Sequence, residues 1–69
     1  MEKDWIQTYS TDNLIKAKMM EDLLKAQGMT PVLINKSGTP YTILQQIEIY
    51  VHYTEAEKAI EIIDNIEHE

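Results

Sequence analysis

Three polar side chains alternate along one short run, Glu48, Tyr50 and His52 of "IEIYVH". In an extended strand such i, i+2, i+4 residues share a face. A carboxylate, a phenol and an imidazole are groups that acid–base or metal chemistry can use. Each role needs partners: a base needs an orienting group, and a nucleophile needs an adjacent base. Glu48 and His52 share a face, but no Ser-His-Asp constellation can be assembled around them. A lone strand histidine is more often a surface residue. His68, in "IEHE", has acidic neighbours that could attract a stray metal ion without forming a ligand set. The pairs Glu21/Asp22 and Glu55/Glu57 fall where helix surfaces and first turns favour acids.

The other candidate is "NKSGTPYT", residues 35–42, between two apolar runs. Lys36 and Gly38 invite comparison with an anion-gripping loop. Such loops feed a helix N-terminus, whose N–H groups and dipole hold the anion. This one feeds a strand and contains neither GxxxxGK[ST] nor GxGxxG. It reads as a hairpin connection built on Ser37, Gly38 and Pro40. A small ligand held near Asn35, Lys36 and Tyr41 is the alternative.

Composition narrows the classes. The chain has 69 residues, 43% hydrophobic and 26% charged, with no Cys. The length fits one domain with a small core, burying about 60% of its unfolded surface. Without Cys there are no disulfides, thiolate nucleophiles or Cys-based metal sites. A net charge of −6 with six Lys and Arg disfavours phosphate backbones and anionic membranes. No run approaches the roughly 18–20 apolar residues that span a bilayer. The opening "MEKDWIQTYS" lacks an apolar signal-peptide core. The expectation is a cytoplasmic, non-enzymatic protein without cofactor or metal.

The elements that must position these residues follow from pattern. "WIQTYS" (5–10) reads as a strand. Ser10, Thr11 and Asp12 offer N-caps for a helix over 13–27. Its apolar arc takes in Ile15, Ala17, Met19, Met20, Leu23, Leu24 and Ala26. Gly28 sits where a left-handed residue would end that helix. "TPVLIN" (30–35) is a second strand. "QIEIYVHY" (46–53) is a third, with Ile47, Ile49, Val51 and Tyr53 on one face and Gln46, Glu48, Tyr50 and His52 on the other. Thr54 and Glu57 match a capping box for a helix over 55–67. Ala56, Ala59, Ile60, Ile63 and Ile66 form its stripe, widened by Ile62.

The order β-α-β-β-α predicts an α+β two-layer sandwich: a three-stranded antiparallel sheet with two helices on one face. It resembles a ferredoxin-like fold lacking its last strand. The strand order would be 1-3-2, with the first strand an open edge. The uncovered face would carry Gln46, Glu48, Tyr50 and His52 with one set of the first strand, either Trp5, Gln7 and Tyr9 or Ile6 and Thr8. Trp5, Tyr9 and Tyr50 together would make a patch of the kind that marks interaction surfaces. In the other arrangement Trp5 and Tyr9 cap the core.

Several residues carry a resemblance. Trp5 opens the first strand, Leu23, Leu24, Gln27 and Gly28 end the helix, Asn35 follows the second strand, and Tyr50 and Val51 stand in the third. Together they look like a small bacterial family labelled prokaryotic signal-transducing proteins, over nearly the whole chain. "INKSGTPY" is similar to versions from the Bacteroidetes group. The resemblance implies a regulatory role, through a loose likeness to PII-type signalling folds, and no catalytic residue. The long effector loop and fourth strand of PII-type proteins have no counterpart here. The expected partner is another protein or a second copy of the chain, as a homodimer, met through the first-strand edge and the open sheet face.

Overall fold

The most regularly alternating run becomes the middle of the sheet. The computed structural model describes residues 3–36 and 46–68. In it β1 (Trp5–Thr11), α1 (Leu14–Ala26), β2 (Val32–Asn35), β3 (Ile47–His52) and α2 (Tyr53–Glu67) follow in that order. The sheet order is β1-β3-β2, and β3 is antiparallel to both neighbours. Both helices pack on one face, giving the α+β sandwich expected from the sequence.

The core lies between the helices and β3. Ile47, Ile49 and Val51 are fully buried, and Ile49 and Val51 pack with Met20, Leu24, Met29, Ala59 and Ile63. The α1 end behaves as the sequence implies. Gly28 has φ +88°, Met29 N–H donates to Leu24 O at 3.1 Å and Gly28 N–H to Lys25 O at 3.0 Å. This is a Schellman ending, and its hydrophobic contact is Met29 with Leu24 in the core.

Several local expectations are corrected. The N-cap of α1 is Asn13, whose side chain accepts from Lys16 N–H at 3.1 Å, rather than Ser10, Thr11 or Asp12. Thr11 instead accepts from Asn13 N–H and belongs to the strand. The N-cap of α2 is His52, so the Thr54–Glu57 capping box does not form. Tyr53 consequently starts the helix instead of extending the inner face of β3, and is 59% exposed. Ile15, Met19, Ile60 and Ile66 also leave the core. Three short strands cannot cover apolar arcs that wide.

The largest departure is in β1. Trp5, Ile6 and Gln7 oppose His52, Val51 and Tyr50, whereas Tyr9, Ser10 and Thr11 oppose Ile49, Glu48 and Ile47. One extra residue, Thr8, sits between the two registers, and its Oγ1 donates to Ile49 O at 3.2 Å. A bulge resets the period-2 alternation. Trp5 and Gln7 therefore face away from the helices, while Tyr9 faces them. Neither alternation set expected from the sequence survives whole.

Candidate functional site

The sheet face opposite the helices brings together side chains from three strands. Directly paired residues share a face, so Trp5, Gln7 and Ser10 of β1 lie beside His52, Tyr50 and Glu48 of β3, with Val32 and Ile34 of β2 beyond. No described element packs over this face. Its side chains form two groups.

The first is aromatic. The Trp5 and His52 rings meet edge to face at 5.9 Å, and His52 lies 4.6 Å from the Tyr53 ring. His52 is fixed by its capping role. Its Nδ1 lies 2.9 Å from Thr54 Oγ1 and 3.4 Å from Thr54 N, which donates to it. With Nδ1 accepting, the ring's hydrogen is assigned to Nε2. Tyr53 was missed in the sequence because strict alternation carries it into the core. The signal that could have found it is the helix start itself, since a histidine can cap a helix through Nδ1.

The second group is polar and centred on Glu48, which is only 5% exposed. Its Oε1 lies 3.0 Å from Lys36 Nζ and accepts from the Tyr50 hydroxyl at 2.9 Å. Gln46 Nε2 approaches Oε2 at 3.4 Å. The single Tyr50 proton goes to the nearby carboxylate, and Gln7 Oε1 at 3.4 Å is the looser neighbour. A carboxylate so enclosed needs these donors, because an unpaired buried charge is strongly disfavoured. Lys36 and then Tyr50 hold the Glu48 carboxyl below its ordinary range. The same contact raises the Lys36 ammonium and the Tyr50 phenol above theirs.

This network makes a prediction about pH. A lowered folded-state carboxyl contributes stability that is fully present above the ordinary value near 4.5 and is lost as pH falls through the lowered one. Glu67 adds to the same acid arm, held low by Tyr9 and Lys16. The urea midpoint is therefore expected to fall steadily below about pH 5 in the wild type. In Glu48→Gln the arm should be shallower. An unchanged slope in Glu48→Gln would remove Glu48 as a cause.

The remaining sequence candidates are dispersed. Tyr9 is corrected from the open face to the helix side. There it packs against the core and donates to Glu67 Oε1 at 2.5 Å, while Lys16 Nζ holds Glu67 Oε2 at 3.2 Å. Burial, then this hydrogen bond, raises the Tyr9 phenol. Glu48 and His52 form no dyad, since each is bound to other groups. Asn35 and Lys36 do not converge: Asn35 opposes Ile47 on the helix side, whereas Lys36 reaches Glu48 on the other. Tyr41, with residues 37–45, lies outside the described residues. His68 Nε2 sits 3.1 Å from Asp64 Oδ1 at the end of α2.

The β1 edge is less inviting than its sequence implies. The bulge splits it into two runs of three residues, and the other outer strand, β2, has four. Short and bulged edges are the means by which sheets resist strand addition. Among the described residues, neither helix is long and apolar enough to cross a membrane. No family model, curated protein or solved structure matches this chain.

Proposed function

We propose that this protein is a non-enzymatic interaction module with a regulatory role in signalling, working in the cytoplasm. It binds a protein partner, or a second copy of itself, through the open sheet face rather than by strand addition. The observation that supports this reading is the Trp5–His52–Tyr53 aromatic group standing beside the Lys36–Glu48–Tyr50 network on a face that no described element covers. Interface cores are enriched in Trp and Tyr, and polar groups satisfied in advance lose little on being covered. The regulatory part rests on the family resemblance, and the cytoplasmic part on the Cys-free composition.

A metabolite site at Asn35 and Lys36 is the weaker reading, because the two side chains serve opposite faces and Lys36 already has its carboxylate.

Sedimentation equilibrium over a wide concentration range, on wild type, Tyr50→Asp and Trp5→Ala, tests the proposal. Self-association that both variants abolish supports a homodimer through this face. A wild-type monomer directs the same variants to pull-down of a heterologous partner. Association or capture that both variants leave intact would overturn the assignment of the face.

A further inference from the structure

The helix layer carries more apolar surface than its own core uses. On α1 only Ala17, Met20 and Leu24 are buried, while Ile15 is 75% and Met19 61% exposed. On α2 Ala59 and Ile63 are buried and Ile66 stands partly out. Between the helices opens a cavity of about 400 Å³, walled by Met19, Met20, Leu23 and Ile66. Asp22 is its one charged lining residue. This groove lies on the layer away from the open sheet face.

We propose that the inter-helix groove docks a cationic amphipathic helix from another protein, its apolar side chains between Met19 and Ile66 and a Lys or Arg against Asp22. Apolar walls select apolar side chains, and methionines, unbranched and polarizable, adapt to different shapes. A helix lying in a groove is a recurrent mode of peptide recognition.

Charge decides which helix. The α1 lysines are occupied: Lys16 by Glu67, and Lys18 and Lys25 by Glu21. Asp22 has no ion pair among the described residues. In α2, Glu55, Glu57, Glu61, Asp64 and Glu67 stand against Lys58 alone, within a chain of net charge −6. An uncharged occupant would desolvate Asp22 without compensation. A second copy of this acidic chain would bring like charge to the groove. A basic partner satisfies both the carboxylate and the field.

The test uses the whole chain labelled at its methionine methyl groups. The probe is a synthetic amphipathic helix with one Leu face and one Lys face, beside a counterpart with Glu in place of Lys. The Leu/Lys peptide is expected to move the Met19 and Met20 methyl signals and leave Met29 in place. Asp22→Lys should weaken its binding by about tenfold or more. Glu61→Lys, the same change of net charge on the outer side of α2, should weaken it by no more than about threefold. Equal losses in the two variants would reduce the effect to the overall field and overturn the site. So would equal binding of the Leu/Glu peptide. Met19 signals that move with protein concentration alone would assign the groove to a second copy, also against the proposal.

Discussion

Leu24→Ala is expected to lower the unfolding free energy by about 2–5 kcal/mol, the loss of a fully buried leucine together with the cavity left behind. Leu24 has no exposure and lies where α1, Met29 and β3 meet. Its carbonyl also takes the Met29 N–H of the Schellman ending, so the side chain and the helix stop are locked together. For a chain this size total stability is on the order of 3–10 kcal/mol, so the loss is a large fraction of the whole. Thermal unfolding should shift down by roughly 10 °C or more. Met19→Ala, five residues earlier and well exposed, should change stability by under about 0.5 kcal/mol. That pair separates the apolar surface the fold needs from the surplus bordering the groove. A Leu24→Ala protein as stable as wild type would mean that the core is centred elsewhere.

The second large effect is a contrast between two single-residue deletions. Removing Thr8 should leave a folded protein. Trp5, Ile6, Gln7, Tyr9, Ser10 and Thr11 then run in uninterrupted alternation, and every one keeps its partner and its face. The losses are one hydrogen bond to Ile49 O and the local twist. Removing Tyr50 from β3 has no such escape. Ile49 and Val51 become neighbours, and adjacent strand residues point to opposite faces. One fully buried side chain must then turn away from the helices, at a cost of about 1.5–3 kcal/mol before the resulting cavity is counted. Circular dichroism and urea unfolding on both deletions check this. A straighter β1 should also be a better template for strand pairing, so the Thr8 deletion is expected to associate more than wild type. If it unfolds like the Tyr50 deletion, the register of β1 is not the one described.

Much of the architecture was legible in the residues. The strict alternation of "IEIYVH" marked the central strand, because a strand flanked on both sides and buried on one face must alternate. The Leu-Leu run ending at Gly28 marked the α1 stop, because only glycine enters the left-handed region freely. The absence of cysteine excluded disulfides, thiolate nucleophiles and Cys-based metal sites. These are local or compositional signals, and a single stretch of chain carries each of them.

What the sequence left open depended on distant partners. Thr8 looks like an ordinary strand residue, and only pairing with β3 makes it the extra one that turns Tyr9 inward and leaves Trp5 outward. Glu48 reads as one more open-face strand residue until Lys36 reaches it from just beyond β2 and Tyr50 donates to it. Ile15, Met19 and Ile66 belong to their helices' apolar arcs by spacing. Whether they are core or surface is decided by how much of each arc a three-stranded sheet can reach. The elements, their order and the two layers can be read from the residues alone, since periodicity and turn residues act within a few residues. The faces of β1, the Glu48 network and the open groove were decided by tertiary structure alone, since they arise from pairing register and covered area.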